Sequence, residues 1–121
     1  MAKGDDIQDR LIRYAARIIK VSDSLPKTTA GRHISGQLLR CETAPAAQYG
    51  EARGAESAAD FIHKLKIAVK ELNESEVWLR IIVDSTMLTQ TQLCHLLDES
   101  NQLQRILSAS IGTVRKSADD R

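Results

Sequence analysis

The strongest constraint on the fold is a seam in residues 60–85. There Phe61, Leu65, Ala68, Leu72, Ser75, Leu79 and Ile82 recur at alternating steps of four and three. At 3.6 residues per turn this spacing keeps one stripe turned towards a neighbouring helix for about seven turns. A strand, with its period of two, cannot use it. The first helix, over residues 5–23, carries a similar seam in Ile7, Leu11, Tyr14, Ile18 and Val21. The last carries one through Leu93, Leu96, Ser100, Leu103, Leu107, Ser110 and Val114.

Local signals place the ends of these helices. Asp5, Asp6 and Asp9 suit the positive end of a helix dipole. Pro26 closes the first helix, and Thr28 or Thr29 caps the second, whose seam is Ile34, Leu38 and Cys41. Pro45 lacks a backbone donor and crowds the carbonyl of Cys41, so the second helix is expected to kink or break there. Gly54 is its C-terminal stop. Ser57 with Asp60 opens the third helix, and Thr89 or Thr91 the fourth. The polar tail from about residue 116 is expected to fray. A single domain over residues 1–121 follows, all-α, as an antiparallel up-down-up-down four-helix bundle. Aromatic residues are only 3% of the chain, so its core must be built from Leu, Ile, Val and Ala.

The functional classes narrow by what the pattern lacks. A net charge of +1 gives no bulk attraction for nucleic acid or membrane. The chain shows no secretory leader and no apolar run of about 20 residues, so a cytoplasmic protein without a membrane partner is expected. Cys41 and Cys94 form neither a disulfide framework nor a zinc spacing. His33, His63 and His95 lie apart, and no Glu-x-x-His occurs, so neither a metal nor another cofactor is expected. No arginine stands four to seven residues before any histidine, against the Arg–His pattern of HEPN ribonucleases. With no nucleophile elbow and no phosphate loop, no catalytic residue is assigned and no enzyme is expected.

Two features remain. Arg10, Arg13, Arg17 and Lys20 form a basic row on the first helix. With Arg32 and Arg40 they make the candidate nucleic-acid contact, because residues 1–40 hold eight basic residues against four acidic. No aromatic is interleaved with them, so reading of bases is not expected. Ile12, Ile19, Ile67, Trp78 and Ile81 lie off the seams and ask for a partner surface, which is the candidate oligomer interface.

Two longer motifs carry a family resemblance. Ser35-Gly36-Gln37-Leu38-Leu39-Arg40 is followed by Thr43-Ala44-Pro45-Ala46 and Tyr49-Gly50-Glu51-Ala52. Asp60-Phe61-Ile62-His63-Lys64-Leu65-Lys66 precedes Lys70-Glu71-Leu72-Asn73-Glu74-Ser75-Glu76-Val77-Trp78-Leu79. Over residues 7–116 the chain resembles the bacterial four-helix bundle proteins. These include proteins encoded in intervening sequences of large-subunit ribosomal RNA genes and are related to accessory proteins of diversity-generating retroelements. The resemblance implies a homopentamer. For the retroelement branch it also implies binding of RNA or DNA and of a reverse transcriptase. The alternative left open is a scaffold or adaptor that uses its outer apolar stripes to bind protein alone.

Overall fold

The computed structural model describes residues 4–42 and 44–120. All regular structure among them is helical: α1 (Asp5–Ser24), α2 (Thr29–Glu42), α3 (Ala44–Arg53), α4 (Ala58–Asp84) and α5 (Gln90–Asp119). The kink or break expected near Pro45 bears on Thr43, which lies outside the described residues; α2 is described to Glu42 and α3 from Ala44. Pro45 itself is buried in the first turn of α3. A proline is tolerated there because first-turn N–H groups have no partner within the helix.

Segments α2 and α3 both pack on α1 and on α4, while α5 packs on α4 and α1. The two short segments therefore share one position of a four-helix bundle. Numbering runs in opposite directions across the face between this pair and α4. His33 meets Trp78, and Glu51 reaches Lys64 at 3.6 Å.

The core is the set of seams. Leu65, Ala68, Leu72, Ser75, Leu79 and Ile82 are all buried on α4, as are Leu11, Tyr14 and Ile18 on α1. On α5 the expected seam holds through Leu107, and Ile111 then takes the buried place. Ser110 and Val114 are only half-buried. A straight helix drifts about 20° per heptad from a strict seven-residue repeat, enough to move the buried stripe by one residue.

Serines in the seams are hydrogen-bonded. The Tyr14 hydroxyl lies 2.7 Å from Ser75 Oγ, which donates to the Leu72 carbonyl at 2.8 Å. Ser100 Oγ donates to the same carbonyl at 3.3 Å and accepts from Gln104 Nε2 at 3.2 Å. Burial raises the Tyr14 pKa, so this hydroxyl stays protonated and donates.

The caps follow local chemistry. Thr28 Oγ1 accepts from Gly31 N, so Thr28 is the cap of α2. Ser57 accepts from Asp60 N. Thr89 and Gln92 exchange both bonds of a capping box. Segment α4 ends in a Schellman motif: Met87 N bonds Ile82 O at 3.1 Å and Thr86 N bonds Val83 O at 3.0 Å. The left-handed residue of that motif is Thr86, at φ 64°. Finally, α5 continues to Asp119, through the tail expected to fray.

Candidate nucleic-acid interface

Arg10, Arg13, Arg17 and Lys20 advance by three, four and three, which holds them within about 80° of one another at 100° per residue. They flank the buried stripe of Leu11, Tyr14 and Ile18 on the side of α5. Arg10 fixes that orientation. Its Nη2 lies 2.6 Å from Glu99 Oε1, its Nε lies 3.0 Å from Glu99 Oε2, and Nη2 also donates to Gln102 Oε1 at 3.0 Å. The bond from Arg10 is the main reason the Glu99 carboxyl sits below its ordinary range, and the charges of Arg10, Arg17 and Arg13 add to it. The same bond raises the Arg10 pKa.

The row therefore divides by task. Arg10 ties α1 to α5. Arg13, Arg17 and Lys20 are exposed, and none of them has an ion pair among the described residues. Arg13 and Arg17 stand close enough to Glu99 for their charges to act on it, so they extend one positive strip along the α1–α5 edge.

Arg32 and Arg40 do not join that strip. Segment α2 lies against the opposite flank of α1, where Ser35 Oγ donates to the Ser22 carbonyl at 3.2 Å. Arg32 is exposed at this turn, and exposed Arg40 donates to Gln37 Oε1 at 3.1 Å. On a helical projection, the exposed face of α1 between strip and α2 carries Ile12 and Ile19 along its α2 edge.

The candidate interface residues also divide. Ile12 is 52% exposed, Ile19 39% and Ile81 38%, with Val77 and Leu39 similarly open. Ile67 is half-buried. Trp78 is half-buried too, packing on the core, with the His33 ring edge-on at a centroid distance of 6.0 Å. Trp78 thus already has contacts within its own chain.

Sequence reasoning missed Glu99 and Gln102. A faint signal existed: Arg10 and Glu99 each directly precede a seam residue, Leu11 and Ser100, where flanking charges of paired helices meet. It also missed the convergence of Cys41 with Glu71 and Glu74, whose ligand-type atoms lie within 4.8 Å of one another. These side chains are the ones placed to hold a cation among the described residues. Burial first, then the two carboxylates, pushes the Cys41 thiol up to about 12. It is protonated at neutral pH and donates to the Gln37 carbonyl at 3.2 Å.

With this geometry in view, the family model of the 23S rRNA-intervening sequence protein matches residues 5–109. The chain belongs to that family. A solved relative is a protein of unknown function from the S23 ribosomal protein family of Bacteroides thetaiotaomicron, determined at 1.70 Å resolution. The two are 33% identical, with a TM-score of 0.81, over 87% of this chain and 97% of that one. No curated protein matches. Among its described residues the chain has no helix long and apolar enough to cross a membrane.

Proposed function

We propose that this member of the family is a non-enzymatic, cytoplasmic, homo-oligomeric bundle that binds the phosphate backbone of RNA or DNA. The observation that carries the reading is the strip of exposed Arg13, Arg17 and Lys20 beside the Arg10–Glu99 pair. Three cations that have no ion pair among the described residues, on one helix edge, attract a polyanion. A ring of subunits, which we take to be a pentamer, repeats the strip and multiplies a weak contact. The bundle is read as up-down-up-down, with the chain kinking or breaking near Pro45 between α2 and α3. The partner is read as a nucleic-acid enzyme, a reverse transcriptase being the one that the family resemblance suggests.

The test is binding of a structured RNA and of duplex DNA across a salt series. Log affinity is expected to fall linearly with log salt. Arg13→Ala/Arg17→Ala should lower affinity and flatten the slope, with oligomer mass unchanged. A slope and affinity identical to wild type would remove the strip from the site.

A second reading rests on the exposed Ile12, Ile19, Val77 and Ile81. On it the protein is a scaffold that uses these side chains to bind protein only, and no nucleic acid binds even at low salt.

A further inference from the structure

The sharp turn between α1 and α2 encloses a cleft of about 260 Å³, lined among others by Ser22, Lys27, Gly31, Arg32, Ser35 and Gly36. Lys27 and Arg32 are exposed beside it, neither has an ion pair among the described residues, and no carboxylate lines it. Ser22 is wholly buried, and its Oγ has no hydrogen-bond partner among the described residues. A buried hydroxyl without a partner is rare and calls for a ligand or water atom to complete it. Gly36 stands at an exposed position within α2, and a Cβ built there would have nothing within 4 Å. Alanine would serve the helix better, yet glycine leaves that wall of the cleft open.

From these four observations the geometry points to a phosphate-binding subsite in the α1–α2 cleft, filled by one backbone phosphate of a bound nucleic acid. Lys27 and Arg32 supply the charge, and the Ser22 hydroxyl, unpaired and buried just beneath the surface of the cleft, supplies a donor once that surface gives way to the phosphate. Gly36 supplies the clearance. The assignment rests on the nucleic-acid reading above but uses residues away from the α1–α5 strip. It gives Arg32 a role that the strip does not.

Inorganic phosphate and an RNA hairpin are the probes, applied to the full chain as wild type, Gly36→Leu, Ser22→Ala and Lys27→Ala/Arg32→Ala. Melting temperature is followed against phosphate, with sodium chloride at matched ionic strength as reference. Phosphate also stabilises proteins by exclusion from their surface, so only the difference between wild type and the plugged Gly36→Leu form counts. Wild type is expected to show an excess, saturable rise that Gly36→Leu lacks. Ser22→Ala should start from a higher melting temperature, having lost an unpaired buried hydroxyl, and yet gain less from phosphate. Hairpin affinity should fall roughly tenfold in Gly36→Leu, the loss appropriate to charge-assisted bonds. Should Gly36→Leu fail to fold, Lys27→Ala/Arg32→Ala carries the same comparison.

Equal phosphate responses in wild type and the cleft variants would overturn the subsite, while hairpin binding lost in Arg13→Ala/Arg17→Ala would leave the proposed function standing. A saturable phosphate response without hairpin binding would overturn the backbone assignment and the proposed function together, leaving a free-phosphate site.

Discussion

At the scale of single residues, two positions stand out. Thr86 holds the left-handed place of the Schellman motif, where a β-branched side chain costs about 1–2 kcal/mol and glycine costs least. Glycine loses part of that advantage through its freer unfolded chain. Thr86→Gly is expected to stabilise by about 1 kcal/mol, visible as a rise of a few degrees in melting temperature. The other position is the Arg10–Glu99 pair, partly shielded and joined by two bonds. Such a pair contributes up to about 1 kcal/mol. Glu99 titrates below its unfolded counterpart, so this contribution is complete above about pH 5. It is lost as pH falls through the lowered folded value. Denaturant midpoints of wild type and Arg10→Ala should therefore differ at pH 7 and converge in acid; a gap independent of pH would mean that packing of the arginine stem, not the pair, holds α1 to α5.

At the scale of elements, the α1–α2 turn is the least replaceable. A Cβ on Gly31 would sit 1.9 Å from the Pro26 carbonyl oxygen, a backbone atom that cannot swing aside. Gly31→Ala is expected to destabilise by roughly 3 kcal/mol or more, read as a lower denaturant midpoint. Gly36→Ala, with open space around it, should not destabilise. The helices themselves were legible in the sequence because each seam repeats locally. Leu65 to Ile82 were placed correctly without any knowledge of their partners, Ser57 declared its cap within three residues, and Thr89 was one of two candidates between which the structure chose. What was not legible depends on distance in the chain. Arg10 and Glu99 meet across 89 residues, and no local pattern states which arginine of the row will be tied down. The shift from Ser110 to Ile111 at the end of α5 is likewise set by the accumulated drift of a straight helix, not by any one residue. The candidate nucleic-acid set was half legible: its cations other than Arg10 are exposed, but the fold ties Arg10 to Glu99 and divides the rest between two flanks of α1.

At the scale of the whole molecule, Ile12 and Ile19 form an apolar face that their own bundle leaves exposed. If copies of the chain cover them, Ile12→Lys/Ile19→Lys should lower the light-scattering mass to that of a smaller species while leaving helical content intact. An unchanged mass would place the subunit contact elsewhere. A charge on those positions costs the isolated bundle little, because neither side chain belongs to the core.

The hydroxyl chain from Tyr14 through Ser75 to the Leu72 carbonyl and Ser100 has a consequence of another kind. Leucine seams are nearly self-similar: one helix can slide along another by seven residues and still bury its stripe. Such a slide of α4 would set Tyr14 against Ala68 or Ile82, which offer its hydroxyl no side-chain acceptor, at a cost of about 1–3 kcal/mol for each stranded group. The two buried serines act as a key in a lock of otherwise interchangeable teeth, and they select one axial alignment among several that hydrophobic burial alone would accept.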